Sequence, residues 1–416
     1  MKIDIRSEIG TLEGVILHTP GAEVENMTPR NAERALYSDI LNLSIAQKEY
    51  NQLSRLLDKV TTTFQVRDLL ESALALPKAR AGLISTICEA EKCPDLCDEL
   101  LALPEDRLAR QLIEGVLLTR DNLTRFLSEE RFALPPLHNF FFTRDAAMPI
   151  MDEILIGRMA KPVRSRESII IETIFNHCPQ FSVNALNPTG TTHYDPLATI
   201  EGGDVLVARE DIVVIGNGSR TSSQGIDFII EMLKLQKDRE RHILVQELPH
   251  RPESFIHLDM VFTFLGKSHC MIFEPLMLKP TKYQTIHICI ENGRVTRIVE
   301  KKSLIHALRA LKMEVMPVCC GGKDPWDQER EQWHSGANFF ALAPDKVVGY
   351  ARNVHTMEAL SQQGFEIVNA EAIIAGRRDL ADMDRCAIAL DGSELPRGGG
   401  GARCMTLPIR RQRVDG

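Results

Sequence analysis

The sequence predicts an α/β fold: an α/β propeller with pseudo-fivefold symmetry, helices outside, and a helical bundle inserted after the first unit. Three observations carry this. A pattern of short strands followed by a helix recurs five times along the 416 residues. Asp145, the pair Glu201/Asp204 and the pair His257/Asp259 each stand beside the first strand of a unit, at corners that converge on the axis of a closed ring. From about Leu70 to Leu134 the pattern breaks, and leucines recur at helical spacing among charged residues.

The first unit holds the apolar strand Gly14–His18 and a helix over Asp39–Leu57. The second has strands at Phe140–Phe142 and Ile154–Gly157, then a helix over Ser165–Phe175. In the third, Val205–Val207 turns through Arg209-Glu210-Asp211 into Ile212–Ile215. Its helix has Ser222 or Ser223 as N-cap, with Ile226, Ile229, Ile230 and Leu233 on one face. The fourth runs through Val261–Leu265, Met271–Phe273, Ile286–Ile290 and Val295–Val299 to a helix at Ser303–Leu311. The fifth has Phe339–Ala343, Val347–Tyr350 and a helix over Thr356–Gln363. Ala370–Ala389 reads as a surface excursion, and Met405, Leu407 and Ile409 as the strand that closes the ring. The expected organisation is a catalytic propeller of residues 1–69 and 135–416 carrying an inserted helical domain, 70–134.

Bulk properties exclude several classes. A formal charge of -8 with no Lys/Arg block argues against a nucleic-acid or acidic-membrane surface. The polar start Met1–Arg6 is unlike a signal peptide, and no apolar run reaches the roughly 18 residues of a membrane span. A cytoplasmic protein is expected. Its ten cysteines are scattered, as reduced thiols are. Cys88, Cys93 and Cys97 lack a C-x-x-C pair and a nearby histidine, and read as helix packing. No H-E-x-x-H and no phosphate-binding glycine-rich loop before Lys-Ser/Thr appears.

Gly398-Gly399-Gly400-Gly401 precedes Ala402, Arg403 and Cys404. A side-chain-free arm that delivers one thiol to a fixed point suggests a nucleophile. A glycine-rich hairpin before a buried cysteine has the same pattern, so the choice rests on what surrounds the sulfur. Asp145 ends an apolar run and must be paired, with Arg144 or with a ligand. Glu201 and Asp204 flank two glycines, either as a cradle or as solvated acids at a turn. His257 and Asp259, two apart, share a face of an extended segment, where the acid would orient the imidazole and raise its pKa. Carboxylates around a thiol repel its thiolate unless a cation sits among them, and a planar guanidinium accepts bidentate pairing. Cys404 would then attack the guanidinium carbon, and His257 would protonate the departing ammonia and activate a water.

Phe142-Thr143-Arg144-Asp145, Glu201-Gly202-Gly203-Asp204, His257-Leu258-Asp259, Arg330-Glu331-Gln332-Trp333 and Gly392-Ser393-Glu394-Leu395 through Arg403-Cys404-Met405 resemble, in that order, the motifs of the arginine deiminases. Ser7-Glu8-Ile9-Gly10 and Thr28-Pro29 match as well. The resemblance implies a pentein fold and the hydrolysis of L-arginine to L-citrulline and ammonia without metal or cofactor. It implies Cys404 as nucleophile, His257 as acid and base, Asp145 and Glu201 on the guanidinium, and Asp259 near the reacting centre. Asn139, Arg164 and Arg220 match positions for the amino-acid end of the substrate, and Asp204 completes the cradle. A homo-oligomer, dimer or tetramer, is the expected assembly.

Three departures stand out. Gly399 replaces the second basic residue of the Arg-Gly-Arg-Gly common in the family, His334-Ser335-Gly336-Ala337-Asn338 replaces an Asp-Gly-Asn wording, and Ala370–Ala389 is long. A related enzyme acting on methylated arginine or citrulline, or transferring the amidino group to an amine, is the alternative. A non-catalytic binding module would be expected to lack one of Cys404, His257, Asp145 and Glu201, and all four are present.

Overall fold

Five sheets share one grammar: an antiparallel strand pair, and a further strand added parallel to the second member of the pair. A parallel addition cannot be made by a hairpin and requires a crossover. The computed structural model describes residues 1–28, 39–181, 183, 185–190, 195 and 197–414. Pro29 of the Thr28-Pro29 match lies outside them.

In the first sheet Leu12–Leu17 lies antiparallel to Leu407–Arg411 and, after the helix Leu43–Val60, parallel to Thr62–Gln65. The second pairs Ala147–Ile150 with Glu153–Ile156, crosses through Ser165–His177 and adds Ala185–Leu186. Val205–Arg209, Ile212–Asn217, the helix Ser223–Lys234 and Arg241–Glu247 make the third, widened by Thr285–Glu291 and Arg294–Lys301. The fourth joins Phe262–Phe264, His269–Ile272 and Met316–Cys319. The fifth joins Phe340–Ala343, Lys346–Tyr350, Cys386–Leu390 and Glu366–Asn369.

The sequence reading places strands at four of the five antiparallel pairs, but misses Ala147–Ile150 of the second sheet and the parallel third strands. Those third strands are short or, like Arg241–Glu247, flanked by charge, and a crossover separates them from the strand they join. Two expectations are corrected outright. Phe140–Phe142 is a turn, closed by Phe140 N–H to Leu137 O (3.1 Å) and Phe142 N–H to Asn139 O (2.9 Å). Its apolarity reflects burial of the rings, not extended backbone. Ala370–Ala389 is no surface excursion, because its last residues enter the buried strand Cys386–Leu390 between two neighbours of the fifth sheet.

The strand-poor stretch forms helices at Val66–Leu74, Pro77–Ala90, Cys97–Ala102 and Glu105–Glu114. Their Leu70, Ile84, Leu108 and Leu112 share one apolar cluster with Phe140, Ile154 and Ile170 of the second sheet and its helix. The segment thus rests on the strands that position Asp145. Among the described residues no helix is long and apolar enough to cross a membrane.

The first sheet holds both ends of the chain, and in it Ile16, Leu407 and Ile409 are fully buried. Leu407→Ala leaves a cavity at this seam and is expected to cost about 2–5 kcal/mol. Chemical denaturation of the two proteins measures it; a loss below half that range would mean the seam is not tightly packed.

Candidate active site

The arm that carries Cys404 is fixed at both ends. Before it, the buried Glu49 carboxylate accepts from the backbone N–H groups of Ser393 (2.6 Å), Glu394 (3.0 Å) and Leu395 (2.9 Å), and from Ser393 Oγ (2.5 Å). The chain then passes through a short helical turn, Leu395–Gly398, to Gly399 at φ 84°, a left-handed conformation that glycine adopts without strain. A side chain at Gly400 would run into the Phe142 ring, and a Cβ at Gly401 would lie 2.6 Å from Asn338 Oδ1. Gly400 and Gly401 are therefore a packing requirement here, and Gly399 a conformational one. At the far end Asn338 Oδ1 accepts from the N–H of Arg403 (3.0 Å) and of Cys404 (3.2 Å), and Arg144 N–H donates to Cys404 O (3.1 Å).

Arg403 is itself buried, and its guanidinium is fully committed. Nε and Nη2 donate to the two Glu8 oxygens (2.9 and 3.1 Å), Nη1 to Asp259 Oδ2 (2.8 Å), and Nη2 also to Val205 O (2.9 Å). The matched Ser7-Glu8 motif thus places a carboxylate against the residue next to Cys404. Asp259 Oδ2 also accepts from Cys404 Sγ at 3.7 Å, while its Oδ1 is buried with no hydrogen-bond partner among the described residues.

Asp259 therefore does not orient His257, contrary to the sequence reading. His257 begins a short helical turn, Leu258–Met260, so the two side chains leave the backbone in different directions. The imidazole instead donates from Nε2 to Glu201 Oε2 (2.9 Å), with Nδ1 3.7 Å from Asp145 Oδ1. Burial opposes its charged form, but the Asp145 charge, the Glu201 bond and Asp204 outweigh that and raise it to about 9. Glu201, which burial alone would push up, is held at about 2 by His257 and Arg220. Its other oxygen accepts from Ala160 N–H (2.9 Å). Burial and the charges of Asp259 and Asp145 drive the Cys404 thiol well above its ordinary value.

A narrow cavity of about 30 Å³ opens onto Cys404. Asn139, Asp145, Arg164, Arg220, His257 and Gly398–Gly400 contribute to its wall. Glu201 stands against His257 and Asp259 against Cys404. Asp204 is not in the wall. Fully buried, it accepts from Leu258 N–H (2.8 Å), and burial raises its carboxyl to about 7. Its position is that of a brace for the His257 loop, not part of a cradle.

Asp145 does not pair with Arg144, which turns away and donates from Nε to Arg403 O (3.2 Å). It accepts from Arg164 Nη1 (2.6 Å) and from Gly203 N–H (3.1 Å). Arg164 is further gripped by Glu167 through Nε and Nη2 (2.8 Å for the latter). One guanidinium of the protein itself thus rests on the carboxylate that the sequence assigns to a substrate. Arg220 differs: its Nη1 is buried without a hydrogen-bond partner among the described residues, 3.7 Å from Glu201 Oε2.

The sequence reading passed over Glu8, Glu49, Glu167, Asn338 and the part played by Arg403. Three of these five, Glu8, Asn338 and Arg403, fall within stretches quoted from the sequence. The available signal was an arginine adjoining an apolar terminal strand, since such a cation demands carboxylates from elsewhere in the chain.

The fold is that of the pentein class. The N-terminal domain of ArgZ, a cyanobacterial arginine dihydrolase, matches with a TM-score of 0.53 at 12% identity, over 96% of this chain and 98% of that one. A dimethylarginine dimethylaminohydrolase from Pseudomonas aeruginosa, complexed with citrulline, matches with a TM-score of 0.50 at 15% identity, over 95% and 99%. At such identities the likeness is one of fold.

Within that class the relationship is closer to one family. The arginine deiminase family profile matches residues 33–411. The chain is 31% identical over 430 residues to an arginine deiminase of Listeria welshimeri, covering 99% of each. A Bacillus cereus arginine deiminase is 31% identical over 431 residues, again covering 99% of each. The chain belongs to the arginine deiminase family.

The raised imidazole makes a directional prediction. Its folded pKa, about 9, lies above the ordinary 6.5, so the stability it contributes is fully present below pH 6.5 and lost as pH rises through about 9. Asp204, raised to about 7, adds a loss in the same direction. Thermal melts between pH 6.5 and 9 should show a falling melting temperature, with a shallower fall in Glu201→Gln. Equal slopes in the two proteins would contradict the Glu201–His257 coupling.

Proposed function

We propose that this protein hydrolyses L-arginine to L-citrulline and ammonia through a covalent adduct on Cys404. The observation that carries the reading is electrostatic. Burial and two carboxylates hold the sulfur protonated until a cation arrives between them. A guanidinium on Asp145 and Asp259 cancels those charges and drops the thiol pKa at the moment of binding. Asp259 has one buried oxygen free for it, and Asp145 becomes available as Arg164 falls back on Glu167. Glu201, assigned to the cradle from sequence, instead holds the imidazolium, and Asp204 braces the loop behind it.

The thiolate attacks the guanidinium carbon, forming a C–S bond and a tetrahedral centre. That centre collapses by breaking one C–N bond, and His257, charged at neutral pH, supplies the proton that lets ammonia leave. The neutral imidazole then takes a proton from water. The hydroxyl adds to the thiouronium carbon, the C–S bond breaks with its electron pair going to sulfur, and the hydroxyl proton passes to that sulfur as the ureido carbonyl forms, restoring the resting thiol. Arg220, with an unsatisfied N–H, and Asn139 are suited to the amino-acid end of arginine. The cavity holds little more than one water, so entry of arginine requires the Gly398–Gly400 wall to swing aside.

We also propose that residues 70–134 are an insertion on a catalytic body of 1–69 and 135–416, and that the protein is cytoplasmic and homo-oligomeric. Exposure of Leu123, Phe126 and Leu127 supports an assembly surface, and light scattering reads its size.

Citrulline and ammonia should appear in equal amounts from arginine with no amine acceptor present. Absence of both, with turnover of a methylated arginine or agmatine, would refute the substrate. Cys404→Ser should abolish turnover with the melting temperature little changed; an active variant would sink the nucleophile. Asp145→Asn and Asp259→Asn should each lower kcat/KM by about 100-fold, whereas Arg220→Ala should act mainly on KM. The rate should decline above pH about 9 as the imidazolium is lost, and at lower pH in Glu201→Gln.

A further inference from the structure

The third sheet carries a second polar cluster, none of which borders the Cys404 cavity. Arg241–Glu247 and Thr285–Glu291 run antiparallel with His242 opposite Cys289 and Leu244 opposite His287. His287 and Cys289, two residues apart, share one face of their strand, and His242 meets them across the ladder. All three are buried, at 8, 2 and 1% exposure for His242, His287 and Cys289. Nothing in the proposed reaction uses them.

Their donor atoms converge. His242 Nδ1 lies 3.2 Å from His287 Nε2, His287 Nε2 lies 3.4 Å from Cys289 Sγ, and the three atoms fall within 4.8 Å of one another. Ligands at zinc distances of about 2.0–2.1 Å for nitrogen and 2.3 Å for sulfur sit roughly 3.3–3.6 Å apart in a tetrahedron. The two short edges match that spacing without rearrangement. A fourth oxygen is near: Glu240 Oε1 is 3.8 Å from His242 Nδ1, outside the three-atom cluster, on a half-exposed side chain that can rotate toward it from solvent. Arg297 Nη2 donates to Cys289 Sγ at 3.2 Å, the kind of outer hydrogen bond that supports a metal thiolate. The other nitrogen of His287 has no partner among the described residues, leaving its polar contacts directed at the cluster.

We propose that His242, His287 and Cys289, with Glu240 as fourth ligand, form a tetrahedral site for a zinc-type divalent cation that fastens Arg241–Glu247 to Thr285–Glu291. Binding replaces the Cys289 S–H bond with a metal–sulfur bond and releases that proton to solvent. The site is structural and separate from the arginine chemistry. Its failure would leave the proposed function untouched, and the reverse also holds.

The competing location is the Asp145–Glu201–His257 triad, whose donor atoms also lie within 4.8 Å of one another beside the Cys404 thiol. The experiment therefore uses the full chain carrying Cys404→Ser, stripped with chelator and titrated with Co²⁺ and Zn²⁺. One Co²⁺ per chain is expected, with tetrahedral d–d intensity and a thiolate-to-cobalt charge-transfer band, and Zn²⁺ should raise the melting temperature. Adding Cys289→Ser should abolish the band and the thermal shift, and adding Glu240→Gln should weaken binding by about tenfold. Cys289→Ser alone should keep arginine turnover. No charge-transfer band in the Cys404→Ser protein, or an equal band after Cys289→Ser, overturns the proposal. If the double variant fails to fold by circular dichroism, His242→Asn takes its place, and tetrahedral Co²⁺ retained there overturns it equally.

Discussion

The geometry around Cys404 depends on one buried cation. Arg403, next to the proposed nucleophile, is held by Glu8 from the N-terminal segment and by Asp259 from the loop that carries His257. Three distant parts of the chain thus meet on one guanidinium. Removing either carboxylate would strand a charge out of water, a loss of several kcal/mol, whereas the intact cluster satisfies every donor it can. The pairing also decides which way Asp259 faces: one oxygen is locked on Arg403, and the other is left free beside the sulfur.

The same logic extends outward. Asp145, Glu201, Asp204 and Asp259 are all buried, an arrangement that solvation alone would forbid. The protein meets it with internal cations: Arg164 on Asp145, His257 on Glu201, Arg403 on Asp259. Asp204 has the Leu258 N–H, the Thr221 side chain and a nearby imidazolium but no direct ion pair, and burial raises its carboxyl. A site balanced in this way has no place for an anion. In the reading proposed above, an incoming guanidinium displaces the one already there, so that binding exchanges one ion pair for another and avoids desolvating a bare carboxylate.

Rigid placement of the thiol follows from steric demands as much as from charge. Glu49 gathers three N–H groups at the start of the terminal arm, and Asn338 holds the N–H of Arg403 and of Cys404 at its end. Between them Gly400 and Gly401 pass where Phe142 and Asn338 leave no room for a Cβ. Gly399, where the family commonly has a basic residue, adopts a left-handed conformation that an arginine would enter only with strain. The departure read from sequence therefore has a backbone counterpart.

Much was legible in the residues alone. Most of the antiparallel pairs announced themselves by short apolar runs and turn residues, the helices by their period, and Cys404, His257, Asp145 and Glu201 by the motifs around them. These are local signals, written within a few positions of one another. The parallel third strands were not legible, because a strand reached through a crossover chooses its neighbour by fit at long range. Nor was the pairing of charges. The sequence determined that buried acids, an imidazole and one thiol would be present; only the tertiary structure decided that Glu201 takes His257, Asp259 takes Arg403 and Asp145 takes Arg164, since a carboxylate pairs with the cation that packing brings within hydrogen-bonding distance, not with its neighbour along the chain.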